Sequence, residues 1–418
     1  MQHYRTQSWA VSLLLLAGCA SYRGGIPQAE FLHYLTDNTQ TVDLGQPFDF
    51  SMVAEKLPNP GLILVGEIHG FAEPQRFDLE FFSFLRREEG VRHYLLEMDY
   101  SQAYFMNRYN ETGNDSLLDR VLQRWVVSQG RNNATYRSKW QAFHSLYQSG
   151  QHFQYLGISN LADLDLLAEH LYVLDPDRTF PYPSESADSV KAQALQQEIG
   201  HRLLHTGDTT VLSQYQHLKH SVACFLAKTP REEVLTANLR ALYHQHHLKQ
   251  HRIYAFVGLG HALLAPLQSG FQPMPFRLAQ QDSWFQTHQF ALNFLFVDSH
   301  MVVPSQGLPA LIRQPGPYTR LPISYDNRWL SYLYGIQDLK QITPSHSRSL
   351  VHLRGTNSPY SKTQALFRMS QWLPMGQLIH AASGYTTTVY SHYLLFIRNS
   401  DWAHPYAPLS EWETPKGR

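Results

Sequence analysis

The chain is punctuated by short, continuous apolar runs that stop at ionisable residues. Residues 61–65 (GLILV) contain no polar side chain and read as a strand covered on both faces. The segment FDLEFFSFLRREEG, residues 77–90, places apolar side chains at helical spacing and ends at Gly90, a candidate helix C-cap. A second run, HYLL at 93–96, comes next. Strand, helix and strand within about 40 residues make a βαβ unit, a parallel pair joined by a right-handed crossover. Residues 101–250 carry helical periodicity, interrupted by FQYLGIS at 153–159, and RIYAFVG at 252–258 closes that region as a further strand. Beyond residue 271, Tyr, Pro and Ser become frequent, with strand candidates in FALNFLFVDS, SLVHLRG and TTTVYSHYLLFIRNS. The pattern predicts an α/β fold: a central, mostly parallel sheet with flanking helices, a large helical insertion and a strand-containing C-terminal extension.

Composition adds two exclusions. With 418 residues, 43% hydrophobic and 13% aromatic, the chain can fill a substantial core and is not a disordered sequence. Lys+Arg and Asp+Glu both number 34, so no net field draws nucleic acid, and no nucleic-acid partner is expected.

The N-terminus changes the picture more. Arg5 precedes an apolar stretch from Trp9 to Ala20, shorter than the ~20 residues a membrane-spanning helix needs, which reads as a signal peptide. Its end, Leu16-Ala17-Gly18-Cys19, has the form of a bacterial lipobox, in which Cys19 becomes the acylated first residue. Several acyl chains, at ~0.8 kcal/mol per buried methylene, would hold the protein on a membrane. Ala20, in place of an aspartate, points to the outer membrane of a bacterial cell envelope. The expected organisation is a lipoprotein signal peptide at 1–18, a tether and lead-in at 19–60, an α/β domain at 61–300, and a C-terminal extension of unassigned role at 301–418. With Cys19 acylated, Cys224 has no disulfide partner and reads as a buried apolar thiol.

The candidate chemistry sits where the apolar runs end. LILV stops at Gly66-Glu67-Ile68-His69, HYLL at Glu97-Met98-Asp99, and IYAFV at Gly258-Leu259-Gly260-His261. In an open parallel sheet these carboxyl ends share one side, where ligands bind, so the groups should converge on one pocket. Glu67 and His69 share a face if the strand persists, and a carboxylate beside an imidazole fixes its tautomer for work as a base or a metal ligand. Gly66 would allow a close approach by backbone or substrate. Taken singly, His69 could cap the next helix, Glu97 could be a satisfied buried carboxylate, and His261 could be an ordinary helix residue. His217 with His220, and His247 with His251, have helical spacing but no carboxylate where a zincin motif needs one, and read as solvated helix faces.

The residues Gly66-Glu67-Ile68-His69-Gly70 and YLLEMDYSQAYFMNRYNETGND at 94–115 resemble the erythromycin esterase family. PREEVLTANL at 230–239 looks like a helix motif of the same superfamily, with Glu232 at a usual Asp and Leu235 at a usual Met. VGLGH at 257–261 resembles the strand end of its ChaN-like haem-binding lipoproteins and of the TIKI/TraB-type proteases. The first turn, G-E-x-H, is one residue shorter than in the esterases. Together these matches span about residues 60–265.

The resemblance implies an envelope hydrolase acting on an ester, lactone or amide of a small molecule or peptide. His69 would deprotonate water, Glu67 would orient it, Arg231 would stabilise the oxyanion, and Glu97 and His261 would complete the site. Alternatively His69, Glu97 and His261 would ligate one divalent ion, zinc, manganese or cobalt, and the second histidine favours this variant. A haem-binding lipoprotein, or a non-catalytic envelope protein that keeps the fold, are the other readings.

Overall fold

The computed structural model describes residues 28–123, 133–306, 308–327, 331–371 and 379–405. Its main sheet is built from β1 (Thr39–Asp43), β2 (Gly61–Glu67), β3 (His93–Leu96), β4 (Gln154–Gly157), β5 (Arg252–Gly258), β6 (Gln289–Val297), β7 (Ser347–His352) and β8 (Tyr393–Arg398). In space they run β1-β7-β8-β6-β2-β5-β3-β4. Every pair from β8 to β4 is parallel, and β7 runs antiparallel to both its neighbours. The predicted α/β class with a mostly parallel sheet is the observed one.

The helices that bear on the site are α1 (Ala29–Asp37), α2 (Glu73–Glu88), α3 (Tyr100–Thr112), α4 (Ala134–Gln148), α5 (Leu164–Leu174), α6 (Asp188–His205), α7 (Thr209–Leu226), α8 (Arg231–Gln245), α9 (Leu259–Ala262) and α10 (Met274–Gln281). The continuous apolar run of β2 is explained by cover on both faces. Ile63 and Val65 join a core with Phe77 and Phe81 of α2. Leu62 and Leu64 join another with Leu235, Leu239 and Leu242 of α8. Burying each such side chain contributes about 1.5–3 kcal/mol, enough to fix the register of the strand that carries Glu67. A third core, with Leu167, Leu171, Leu195 and Leu218, ties α5, α6 and α7 together as the helical insertion.

Several sequence expectations differ from what is observed. Part of the expected tether at 19–60 is folded: Phe31, Tyr34 and Leu35 of α1 are buried against Tyr332, Val351 and Leu353, and β1 pairs with β7. Apolar residues at helical spacing in 31–35 explain why this stretch docks rather than swings. The C-terminal segment supplies β7 and β8 to the main sheet, and a hairpin at 299–304 and 318–323 packs over its carboxyl edge. His217 is buried on α7, stacked on Tyr100 with centroids 4.1 Å apart, so it is not on a solvated face. His247 and His251 flank a short 3-10 turn past the end of α8 and share no helix face. Cys224 is partly exposed, its Sγ 3.5 Å from His220 Nε2, because the α7 face that bears it turns away from the core. Cys19 and the signal sequence lie outside the described residues. No helix among the described residues is long and apolar enough to cross a membrane.

Candidate active site

The carboxyl ends of β2, β3 and β5 bring the sequence-selected residues together. β2 ends at Glu67, and the chain turns at 68–70 instead of extending the strand to His69. Gly70 makes that turn with φ +91°, and a β-carbon there would lie 2.6 Å from the Val302 carbonyl oxygen. Val302 N–H in turn donates to Gly70 O at 2.9 Å, so the hairpin closes directly over the turn. His69 still returns to its carboxylate: Glu67 Oε1 lies 2.9 Å from His69 Nδ1. Glu67 is nearly fully buried, and its Oε2 accepts from Gln75 Nε2 at 2.7 Å. Gly66 serves packing, not substrate: a β-carbon there would meet Asn293 Oδ1 at 2.1 Å and Ala262 Cβ at 2.9 Å.

Glu97, one residue past β3, is also buried. Its Oε2 accepts from Gly258 N–H at 2.6 Å, and its Oε1 accepts from Arg231 Nη2. Arg231 opens α8 and donates to Ser159 Oγ at 3.2 Å as well, so one guanidinium ties the ends of β3 and β4 to that helix. Its Nε–H is buried and has no acceptor among the described residues. Asp99, expected in the same strand end, caps α3 instead and accepts from Gln102 N–H at 2.8 Å and Ala162 N–H at 2.9 Å. Burial pushes its carboxyl up to about 6, although these backbone donors oppose the shift.

His261 is carried by α9, which starts directly at the end of β5. Its Nδ1 faces Glu232 Oε1, and its Nε2 lies 3.8 Å from Glu97 Oε1. Glu232 is buried, and its other oxygen accepts from Met274 N–H at 2.6 Å, at the start of α10. The site therefore holds two Glu–His pairs, Glu67–His69 and Glu232–His261, each with the carboxylate at Nδ1. They meet above Gly258. The position that a β-carbon at 258 would occupy lies 3.3 Å from Glu97 Oε2, 3.4 Å from His261 Cδ2 and 3.5 Å from His69 Nε2.

His69, Glu97, Arg231 and His261 line a cavity of about 710 Å³, with Glu67 set behind His69. Its other walls are Glu232, Phe271, Gln272, Arg277 and the strand 301–304. Sequence reading assigned no site role to Glu232, although it adjoins Arg231 in the first turn of α8. Arg277 and 301–304 left no local signal, since only the tertiary fold carries them to the sheet edge.

The set His69, Glu97 and His261 does not fit a metal. Both Glu97 oxygens are engaged, one by the Arg231 guanidinium, which puts a positive charge on the carboxylate a cation would need. Among the described residues, no group of three or more His, Cys, Asp or Glu side chains is disposed to hold a metal ion.

No family model matches the chain, and no curated protein matches it in sequence. Solved structures match it in fold. A succinoglycan biosynthesis protein aligns with a TM-score of 0.61 and 12% identity over 90% of this chain and 98% of that one. A variant of erythromycin esterase EreC in its open conformation aligns with a TM-score of 0.58 and 13% identity, over 87% and 98% of the two chains. ChaN of Campylobacter jejuni, with haem bound cofacially, overlays at a TM-score of 0.30 and 13% identity over 69% and 98%. The chain thus has an erythromycin esterase-like fold, and the likeness extends past the 60–265 stretch where the motifs were legible.

Proposed function

We propose that the protein is a hydrolase of esters or lactones that works through the two facing Glu–His pairs without a metal ion. The observation that carries this reading is the convergence of His69 Nε2, His261 and Glu97 on one point above Gly258, on the floor of an open cavity. Glu67 at Nδ1 leaves Nε2 of His69 as the basic atom facing that point. His69 would take a proton from water as the water oxygen attacks the carbonyl carbon, and the Arg231 guanidinium, which lines the cavity, would stabilise the developing oxyanion. As the carbon–oxygen bond to the leaving group breaks, the proton taken from water would pass to the departing alkoxide by way of His261, steadied by Glu232, giving acid and alcohol. The erythromycin esterase-like fold supports this class of reaction only as analogy.

Purified protein should hydrolyse members of an ester and lactone panel with chelator-resistant turnover. His69→Ala and His261→Ala should each lower kcat by about 10²- to 10⁴-fold while melting within a few degrees of wild type. Turnover that EDTA abolishes and zinc restores would defeat the metal-free reading. A Soret band on titration with haemin, without turnover on any ester, would favour the haem-binding alternative.

The lipobox at Leu16-Ala17-Gly18-Cys19 supports placing this activity on the bacterial envelope, anchored through acylated Cys19. Cys19→Ser should move the protein from the membrane to the soluble fraction with its activity intact; retention in the membrane pellet with the signal removed would mean another anchor.

A further inference from the structure

The charges around the cavity do not all have partners within it. Arg231 is matched by Glu97, and Glu232 by His261. Arg277 is different. Its Nε donates to Gln272 O at 3.0 Å, which orients the guanidinium, but its nearest carboxylate is Glu233, exposed to solvent and 3.9 Å from Nη1, beyond hydrogen-bond distance. Among the described residues the Nη groups of Arg277 have no hydrogen-bond acceptor, and the side chain lines the same cavity as His69 and His261. The helix that carries it is linked to the chemistry through Glu232. Glu232 touches His261 with one oxygen and with the other accepts from Met274 N–H, the first residue of α10, and Arg277 lies one turn further along that helix. Of the remaining walls Gln272 is polar, while Phe271 and the strand Met301, Val302, Val303 and Pro304 form a continuous apolar side.

We propose that Arg277 is a specificity residue and that the substrate is an amphipathic carboxylate: an ester or lactone whose own carboxylate forks onto the guanidinium while its hydrocarbon part lies along Phe271 and 301–304. A guanidinium is matched to a carboxylate by geometry as well as charge, and inside a partly enclosed cavity that pair discriminates against neutral and cationic analogues. The inference rests on the hydrolase reading for the word substrate, but the binding subsite stands by itself.

Binding is therefore tested apart from turnover. Calorimetry should detect hexanoate on the wild-type protein at low salt, at least tenfold tighter than hexanamide, with affinity falling as salt rises. Arg277→Gln should bring hexanoate down to the hexanamide level, and Arg277→Lys should restore part of the difference. Hexanoate bound equally by wild type and Arg277→Gln, or no better than hexanamide by wild type, would overturn the proposal. In the kinetic arm, Arg277→Gln should raise KM for a dicarboxylic acid monoester at least tenfold more than it raises KM for the neutral diester. Selective hexanoate binding with no ester turnover would refute the hydrolase reading and leave the anion site in place; turnover with no charge preference would do the reverse.

Discussion

Gly258 shows how one residue can decide whether this pocket has room for chemistry. Its missing side chain leaves a space bordered by Glu97, His261 and His69, none closer than 3.3 Å to the point a methyl group would take. Contacts of that length are tight but tolerable, so Gly258→Ala should fold, with a melting temperature within a few degrees of wild type. The methyl group would sit where water must reach His69, so ester turnover should fall by at least two orders of magnitude. A variant that keeps wild-type kcat/KM would move the reacting centre elsewhere in the cavity. Glu67, His69, Glu97 and His261 were legible in the sequence because each ends an apolar run, and a run of that kind leaves few places for an ionisable group except the sheet edge. Glu232 and Arg277 were not, since their roles depend on how α8 and α10 settle against that edge, which no local pattern encodes.

Between elements, a buried polar cluster lies among the site-bearing strands and two helices. Asp78 of α2 is fully buried and accepts from Tyr94 of β3 at 2.5 Å, from Tyr254 of β5 at 2.7 Å and from Lys139 of α4 at 2.7 Å. Lys139 is itself buried, with the rings of Tyr136, Trp140 and Phe256 within 4.8 Å of Nζ. Burial pushes the Asp78 carboxyl up, and the lysine and the two phenols oppose that shift. Removing one member of such a pair strands the other charge, so Lys139→Met should cost about 3–5 kcal/mol. Adding Asp78→Asn, which keeps an acceptor for one tyrosine, presents an amide donor to the other hydroxyl and removes the charge, should recover part of that loss in denaturant titrations. A Lys139→Met protein as stable as wild type would show that the carboxylate needs no counter-charge. The four strands around the site were legible because continuous burial leaves continuous apolar sequence. The order of the sheet was not: β6, β7 and β8 extend it past β2 through pairings between residues more than a hundred positions apart in several cases, and α10 was overlooked in the loop-rich stretch past residue 271.

At the scale of the whole molecule, four of the 23 histidines serve as packing rings. His217 stacks on Tyr100, His170 on Tyr104, His392 on Phe290 and His352 on Tyr393, with centroids between 4.0 and 4.9 Å apart. Where such a ring is also buried, desolvation favours its neutral form. Burial pushes both His170 and His217 down to about 3, and His392 is also held well below the ordinary value, mainly by burial. The sign follows from proton counts. Between pH 3 and about 6.5 the unfolded chain carries protons on His170 and His217 that the folded protein does not, so stability is full above that window and is lost as pH falls through it. Each buried ring contributes a slope of about 1.4 kcal/mol per pH unit. Asp99 acts oppositely: its folded carboxyl, pushed up to about 6, binds a proton before the unfolded one does and offsets one histidine between about pH 6 and 4. The balance still favours acid unfolding, starting in the insertion formed by α5, α6 and α7, where His170 and His217 reside. Substituting both by Phe preserves the stacks on Tyr104 and Tyr100 and removes the charge. Urea titrations at pH 7 and pH 5 should show the double variant losing markedly less stability on acidification than wild type, by about 2–4 kcal/mol. Equal losses in the two proteins would mean that both rings gain compensating contacts when protonated, and that the acid limit of this fold is set by other groups.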